Sequence, residues 1–351
     1  MAVRHISLVA LVLLVTSSPL PAEEGRRPVW ESPTVISAPG QYVLTRNLLP
    51  DPGGGSVITI SGPHVDLDLN GFHIDNGAST SPVIDVQSAF AEVRIHDGTV
   101  TGGAQSIAAS SGKRLVVEDM NLHFSGANAI VASSVDEVVI RNNRISDIAS
   151  EAIYVTSATS SSGIIEGNQL RRASVAIRLG DVSGLTIRLN QIEDTPSDGI
   201  QVYAAGGLLI ERNSVGTAQG FGIFLHSTHG STLRNNVLHG NLEAGIYLYS
   251  NCTDNLILEN VVSETIDNHG ILILGSRNQV EGNLANSNAY CGFHFESTSV
   301  GNIYRRNIAR GNNGPNCVAT CAAPVVISTD LCDQGTSNTS ALDNFLPNPG
   351  M

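Results

Sequence analysis

Short apolar strings of the form Gly/Ala-Ile-x-Val recur along the chain: Ala129-Ile130-Val131, Ala152-Ile153-Tyr154-Val155, Gly199-Ile200-Gln201-Val202, Gly222-Ile223-Phe224-Leu225 and Gly245-Ile246-Tyr247-Leu248. The hydrophobic position after the small residue falls at 84, 107, 130, 153, 177, 200, 223, 246, 271 and 293, in steps of 22 to 25 residues. A second string, Ile-x-x-Asn-x-Ile, keeps step with the first and supplies Asn143, Asn168, Asn190, Asn213, Asn236, Asn260, Asn283 and Asn307. Each repeat holds two visible runs of period-two alternation, separated by Gly, Asn, Ser and Asp, so each reads as strands joined by turns. No repeat has room for a useful helix. One repeat cannot bury its own apolar face, whereas stacked coils can. The pattern predicts an all-β solenoid of roughly eleven coils with about 23 residues each, advancing ~4.8 Å per coil.

If coils stack, residues one repeat apart lie above one another. The asparagines then form a structural column in a turn, where Asn tolerates the left-handed backbone region and stacked amides can bond along the rod. A second column reads Glu118, Arg141, Glu166, Arg188, Glu211 and Arg234, then Leu258, Glu281 and Arg305. Its alternating signs suit a solvated charge ladder. A third set comprises the outward positions next to the anchor aliphatics. These change from small residues (Ala108, Ser110, Val131, Ser133) to Tyr154 and Thr156, Arg178, Gln201 and Tyr203, Phe224 and His226, Tyr247 and Tyr249, Leu272 and Leu274, then His294 and Glu296. Aromatic faces can stack on sugar rings, and Gln or Arg can bond hydroxyls or carboxylates. The same rings could also serve only to stabilise the sheet.

These strings, with the opening run Val65-Asp66-Leu67-Asp68-Leu69-Asn70-Gly71, resemble the right-handed parallel β-helix proteins, the superfamily of pectate lyases and of the periplasmic accessory factors for nitrous-oxide reductase. The resemblance covers residues 57–312, the expected β-helix, with residues 23–56 as an N-terminal cap and 313–351 as a cysteine-bearing C-terminal cap. It implies a substrate groove on the sheet that carries the aromatic strip. Some signatures of relatives are missing. The Asp-Pro-His-Asp string of mannuronan C5-epimerases is absent, since Asp51-Pro52 continues into glycine, and so are the paired aspartates of polygalacturonases. Lyases of this fold often use a Lys or Arg base with calcium. Lys113 is the only lysine and Arg178 the only basic residue of the strip, so calcium stays open as a cofactor.

Composition narrows the reading. The 351 residues carry 19 Lys+Arg against 32 Asp+Glu, a formal charge of -13, which disfavours nucleic acid as a partner. Residues 1–22 read as an export signal: Arg4, the apolar run Ile6 to Val15, and a small-residue site ending at Ala22. No later run is long enough to insert in a membrane, so the expected location is periplasmic or secreted. There disulfides can form, and five cysteines (Cys252, Cys291, Cys317, Cys321, Cys332) leave at least one unpaired. A bridge within Cys317, Cys321 and Cys332 is expected to pin the C-terminal cap.

Two functions remain. The first is a carbohydrate-active enzyme that acts on an acidic polysaccharide by lyase- or epimerase-type proton abstraction. Its catalytic set would be Tyr203, His226 and Tyr249 in one column, with Arg178 neutralising a substrate carboxylate. Tyr154, Gln201, Phe224, Tyr247, His294 and Glu296 would contact the glycan. The second is a non-catalytic β-helix, either an accessory factor or a glycan- or protein-binding module. No metal-ligand set is expected, His226 and His229 being a weak pair. Glu151 and Asp198, two coils apart, are spaced near the upper limit for an inverting glycosidase.

Overall fold

A computed structural model describes residues 25–50, 54–87, 89–157, 162–313, 317, 326–328, 330–340 and 344. The expected export signal, Cys321 and most of the C-terminal segment lie outside the described residues. The chain winds as a parallel β-solenoid. Thirteen strands stack through twelve successive parallel pairings, from Thr34–Ile36 through Ile58, Ile84, Ile107, Ile130 and onward to Phe293–Phe295 and Leu331–Asp333. The ten anchor positions read from the sequence are register partners of one another. Strands begin at Arg27–Val29, which pairs with Gly40–Leu44, so coil structure starts ahead of Val57.

A regular turn has three strands, as in Ile200–Tyr203, Leu209–Glu211 and Ser214–Gly216, which belong to sheets A, B and C. The sequence shows only two runs because the strands of B and C are three residues long and meet at the asparagine corner, so they read as one string. Inward Ile, Val and Leu columns from the three sheets merge into one core that runs from Val29 to Leu331. The small residue before each anchor has a steric cause. A Cβ on Gly222 would stand 2.5 Å from Leu238 Cδ2 and 2.6 Å from the Gly245 carbonyl oxygen, so a larger side chain would push sheet C away.

Each asparagine of the expected column is buried. Its backbone N–H and its Nδ2 both donate to Oδ1 of the next asparagine at 2.9–3.1 Å. The remaining amide hydrogen goes to a carbonyl of the coil below, as from Asn213 to Ile187 at 2.9 Å. The column ends on Asn344. The conformational reason given from sequence is corrected here: the left-handed residue is the one before the asparagine, occupied by Asn142, Gly167, Leu189, Arg212, Asn235, Glu259, Gly282 and Arg306. The asparagine itself is chosen for hydrogen bonding. Two further ladders stand at the other corners: Ser231, Asn255, Asn278, Asn302 and Asn338, and the shorter run Asn288, Asn312 and Asp330.

Cys291 is bonded to Cys317, which ties the segment after the last regular coil to sheet A. Cys332 is also disulfide-bonded, to a partner outside the described residues. Among the described residues Cys252 is the free thiol, fully buried, with Sγ donating to the Leu225 carbonyl at 3.2 Å, and burial pushes it up to about 11. It is held as a core residue, not poised for reaction.

Candidate functional site

Alternation along sheet A turns Ile200 and Val202 inward and Gln201 and Tyr203 outward, and the same holds coil after coil. Low on the rod the outward residues are small, and Ala108, Ser110, Val131 and Ser133 line a shallow depression of about 230 Å³. Higher up the same positions carry rings. Tyr203, His226 and Tyr249 stack as one column with ring centroids 5.5 and 5.3 Å apart, the second pair nearly parallel at 22°. Phe224 and Tyr247 stand beside them, 5.5 Å from each other, and Tyr247 meets Tyr249 edge-on at 5.6 Å. Phe221, from the corner before the strand, completes the cluster at 5.4 Å from Phe224 and 4.8 Å from Tyr247. Sequence reasoning missed Phe221 because its position, two before the anchor, is a turn position held by Val175 or Ala244 in other coils. The hydroxyls of Tyr154, Tyr203, Tyr247 and Tyr249 make no hydrogen bond to the protein among the described residues. Partial burial pushes the Tyr247 phenol up to about 12, so it stays a proton donor.

The polar residues of the strip are already engaged. Arg178 is in register with Tyr154 and Gln201, not with the Tyr203 column. Its guanidinium lies over the rings of Tyr154 and Tyr203, at 5.6 and 5.5 Å, and donates to Glu151 at 2.9 Å. Gln201 donates to Asp198 Oδ2 at 2.7 Å, while Oδ1 accepts from the Phe221 N–H at 2.8 Å. Burial raises the Asp198 carboxyl despite those two bonds. Val175 stands in register between Glu151 and the coil of Asp198, as the column reading required.

At the upper end the strip closes. His294 is 2% exposed and Leu272 is 8% exposed, so neither offers an open surface. The backbone N–H of Cys291 donates to His269 Nδ1 at 3.1 Å, which leaves the His269 proton on Nε2, where it faces His294 Nδ1 at 2.8 Å. Burial first, and then the neighbouring imidazole, push His269 down to about 3. Burial also lowers His294, against the pull of Glu296 and Asp333. Both rings are therefore neutral near pH 7. Glu296 lies 3.9 Å from His294 Nε2, a nitrogen with no hydrogen-bond partner among the described residues. The His269–His294 contact is not visible in the repeat pattern, because the two rings come from different positions of adjacent coils.

On the neighbouring sheet the charge ladder is present as read. Arg141 bonds Glu118, Arg188 bonds Glu166 at 2.9 Å, Arg234 bonds Glu211 at 2.7 Å, and Arg305 bonds Glu281 at 2.9 Å.

A coil of three short parallel sheets with rings on one outer face defines the class of protein, and comparison with known families agrees. The family model for the right handed beta helix region matches residues 87–262, half of the chain, and the chain belongs to that family. Residues 222–315 also match the model described as periplasmic copper-binding protein (NosD). Among solved structures, an alanine variant of the periplasmic alginate epimerase AlgG is similar with a TM-score of 0.62 and 16% identity, over 86% of this chain and 78% of that one. A double mutant of the same enzyme gives 0.52 and 14%, over 88% and 78%. At these identities the likeness is one of fold. No curated protein matches the chain.

Copper does not fit the matched segment. Among the described residues, 222–315 assembles no group of three His, Cys, Asp or Glu ligands. His269 and His294 spend their facing nitrogens on each other, and His269 Nδ1 is taken by the backbone. Among the described residues the aromatic strip likewise gathers no such group.

Proposed function

We propose that this is an exported carbohydrate-active β-helix protein, periplasmic or secreted, whose strip from Tyr154 to Tyr249 binds a polysaccharide laid along the rod. The observation that carries the reading is the half-buried cluster of Tyr203, Phe221, Phe224, His226, Tyr247 and Tyr249, with phenol hydroxyls left unbonded. Flat faces for sugar rings and free O–H groups for sugar hydroxyls are what such a ligand needs. The Cys291–Cys317 bridge supports an oxidising compartment, and the similar epimerase and the matched NosD family are both described as periplasmic.

The chemistry we assign to the strip is proton abstraction beside a uronate carboxylate. His226 takes the proton from the carbon next to the carboxylate. Tyr203 or Tyr249 then gives one, either to the leaving glycosidic oxygen, producing an unsaturated sugar, or to the opposite face of the same carbon, inverting it. Arg178 would have to exchange its Glu151 partner for the substrate carboxylate, so the ion pair at 2.9 Å is the gate for an acidic substrate.

Affinity electrophoresis on a panel of acidic polysaccharides, with and without calcium, tests binding. Tyr249→Ala and Phe224→Ala should each weaken retention at least tenfold, with the thermal midpoint within a few degrees of the parent. Retention unchanged in both variants removes the strip as the binding face. An absorbance screen for unsaturated products, with an NMR assay for epimerisation, tests turnover. His226→Ala should abolish turnover while binding persists. A parent that binds but turns over nothing leaves the protein as a glycan-binding module.

A further inference from the structure

The aromatic strip has two unlike ends. Phe224, Tyr247, Leu272, His294 and Cys332 occupy one outward column of sheet A, each in register with the next. Phe224 and Tyr247 are half-buried, but Leu272 is 8%, His294 2% and Cys332 0% exposed. These are outward positions of a strand, so burial there means that other groups lie over the sheet. The Cys291–Cys317 bond and the strand Val326–Ser328, antiparallel to Leu331–Asp333, bring the C-terminal segment to this corner. At the lower end the sheet face stays open. The small side chains of Ala108, Ser110, Val131 and Ser133, with Asp85 and Gln105 beside them, leave only a shallow depression there.

In the column of Tyr249 the strip ends on Glu296, whose side chain is half-buried at the rim. Behind that carboxylate stands a donor without an acceptor. His269 Nδ1 accepts from the Cys291 N–H, so the proton of that ring is on Nε2 and goes to His294 Nδ1. The His294 proton is then on Nε2. The backbone donor fixes this order of protons. Nε2 is buried, has no hydrogen-bond partner among the described residues, and lies 3.9 Å from Glu296 Oε1. Buried donors are ordinarily paired. A carboxylate that turns to take this one keeps its second oxygen for a ligand hydroxyl.

We propose that the strip takes a polysaccharide by one end. The terminal sugar lies on Tyr247 and Tyr249 against the closed top, a hydroxyl of it donates to Glu296, and His294 is the positioning residue that holds this carboxylate. The chain then runs down the rod past Arg178 and out over the open lower coils. This rests on the glycan reading of the strip and adds a direction and a substrate class to it: chain ends, not chain interiors. An internal stretch needs open sheet on both sides of the rings, and burial at Leu272 and His294 denies it one side. The rings from Tyr154 to Tyr249 cover four coil steps, ~19 Å, so stacking holds several sugars before the chain leaves them.

Calorimetric titration of the full-length protein with short and long size fractions of alginate and of polygalacturonate, chains being counted by end-group analysis, tests the proposal. The expected result is one protein per chain at every length above the ~19 Å footprint. At equal mass, shorter chains carry more ends and should saturate the protein sooner. Glu296→Ala should weaken binding about tenfold at unchanged stoichiometry. His294→Leu should show the same loss, and His294→Gln, which restores a side-chain N–H, should recover most of it. Glu296 is at the rim, so its variant decides the matter if His294→Leu does not fold. Bound protein that rises in proportion to chain length overturns the proposal and leaves the glycan reading standing. So does a Glu296→Ala variant that binds as the parent does. Fractions that do not bind at all overturn the glycan reading and the proposal together.

Discussion

Sheets A and B of the same rod present outward columns with the same ~4.8 Å spacing, yet they use it differently. On sheet B, Arg188, Arg234 and Arg305 each find a carboxylate on the adjacent coil. The column answers its own chemistry. On sheet A the rings of Tyr203, His226 and Tyr249 touch, but among the described residues the hydroxyls of Tyr154, Tyr203, Tyr247 and Tyr249 make no hydrogen bond to the protein. Stacked aromatics do stabilise, at about 0.5–1.5 kcal/mol per pair, so contact alone does not mark a site. What separates the two faces is unspent bonding capacity. A solenoid offers every column the chance to complete itself, and a column that does not is the one available to a ligand.

The asparagine ladder belongs to neither face and supports both, so breaking it should produce the largest effect. Asn213→Ala removes the acceptor for the Asn190 backbone N–H and its Nδ2, and the donor to the Ile187 carbonyl. Several buried groups are orphaned at ~1–3 kcal/mol each, and we expect a total loss of about 3–5 kcal/mol in chemical denaturation. Glycan binding and ladder pairing should survive in whatever fraction stays folded. A loss below about 1 kcal/mol would mean that the corner relaxes onto water and that the ladder is not what fixes the coil spacing.

The next effect separates the faces. Glu118 is 2% exposed and bonds both Arg94 and Arg141. Burial alone would raise its carboxyl, but the bonds and charges of the two arginines outweigh it and hold the group below 4.5. A depressed carboxylate stabilises the fold above its unfolded value, and that contribution is lost as pH falls through the folded value. Glu118→Gln should therefore cost about 1–3 kcal/mol near pH 7, with the difference from the parent shrinking below about pH 4. Sugar retention on sheet A should not change. A variant that loses retention along with stability would couple the two faces and weaken the contrast drawn here.

Much of this is legible in the sequence for one physical reason: in a stacked fold, spacing in sequence is position in space. The steps between Ile130, Ile153, Ile177 and Ile200 gave register, and register gave the Tyr203–His226–Tyr249 column and the sign alternation. What stayed hidden depends on corners and chain path. Phe221 reaches the strip from a turn, and the neutral pair His269–His294 joins different positions of adjacent coils. The Cys291–Cys317 bond depends on how the chain returns after the last regular coil. The asparagine corner is legible in the sequence, but its left-handed residue, one place earlier, is not, since a hydrogen-bonding side chain and a permissive backbone position sit next to each other at every turn.

The smallest effect concerns the one gap in the ladder. Leu258 is in register with Arg234 below and Glu281 above. Any charge placed there meets one opposite and one like neighbour. Strict alternation cannot pass through this rung, because the pattern below ends on Arg and the pattern above begins on Glu. A neutral residue lets the sequence shift phase without repulsion. Cross-strand charge pairs contribute roughly 0.2–1 kcal/mol each, so the attraction and the repulsion at this rung should nearly cancel. Leu258→Glu and Leu258→Lys are accordingly expected to change stability by no more than about 0.5 kcal/mol, after allowance for the partly buried leucine. Arg234→Glu, one coil below, should cost clearly more, because it sets like charges at Glu211 and gains nothing at Leu258. Equal penalties for all three variants in urea melts would show that coil-to-coil electrostatics contribute little, and that the alternating column is tolerated by the fold, not used by it.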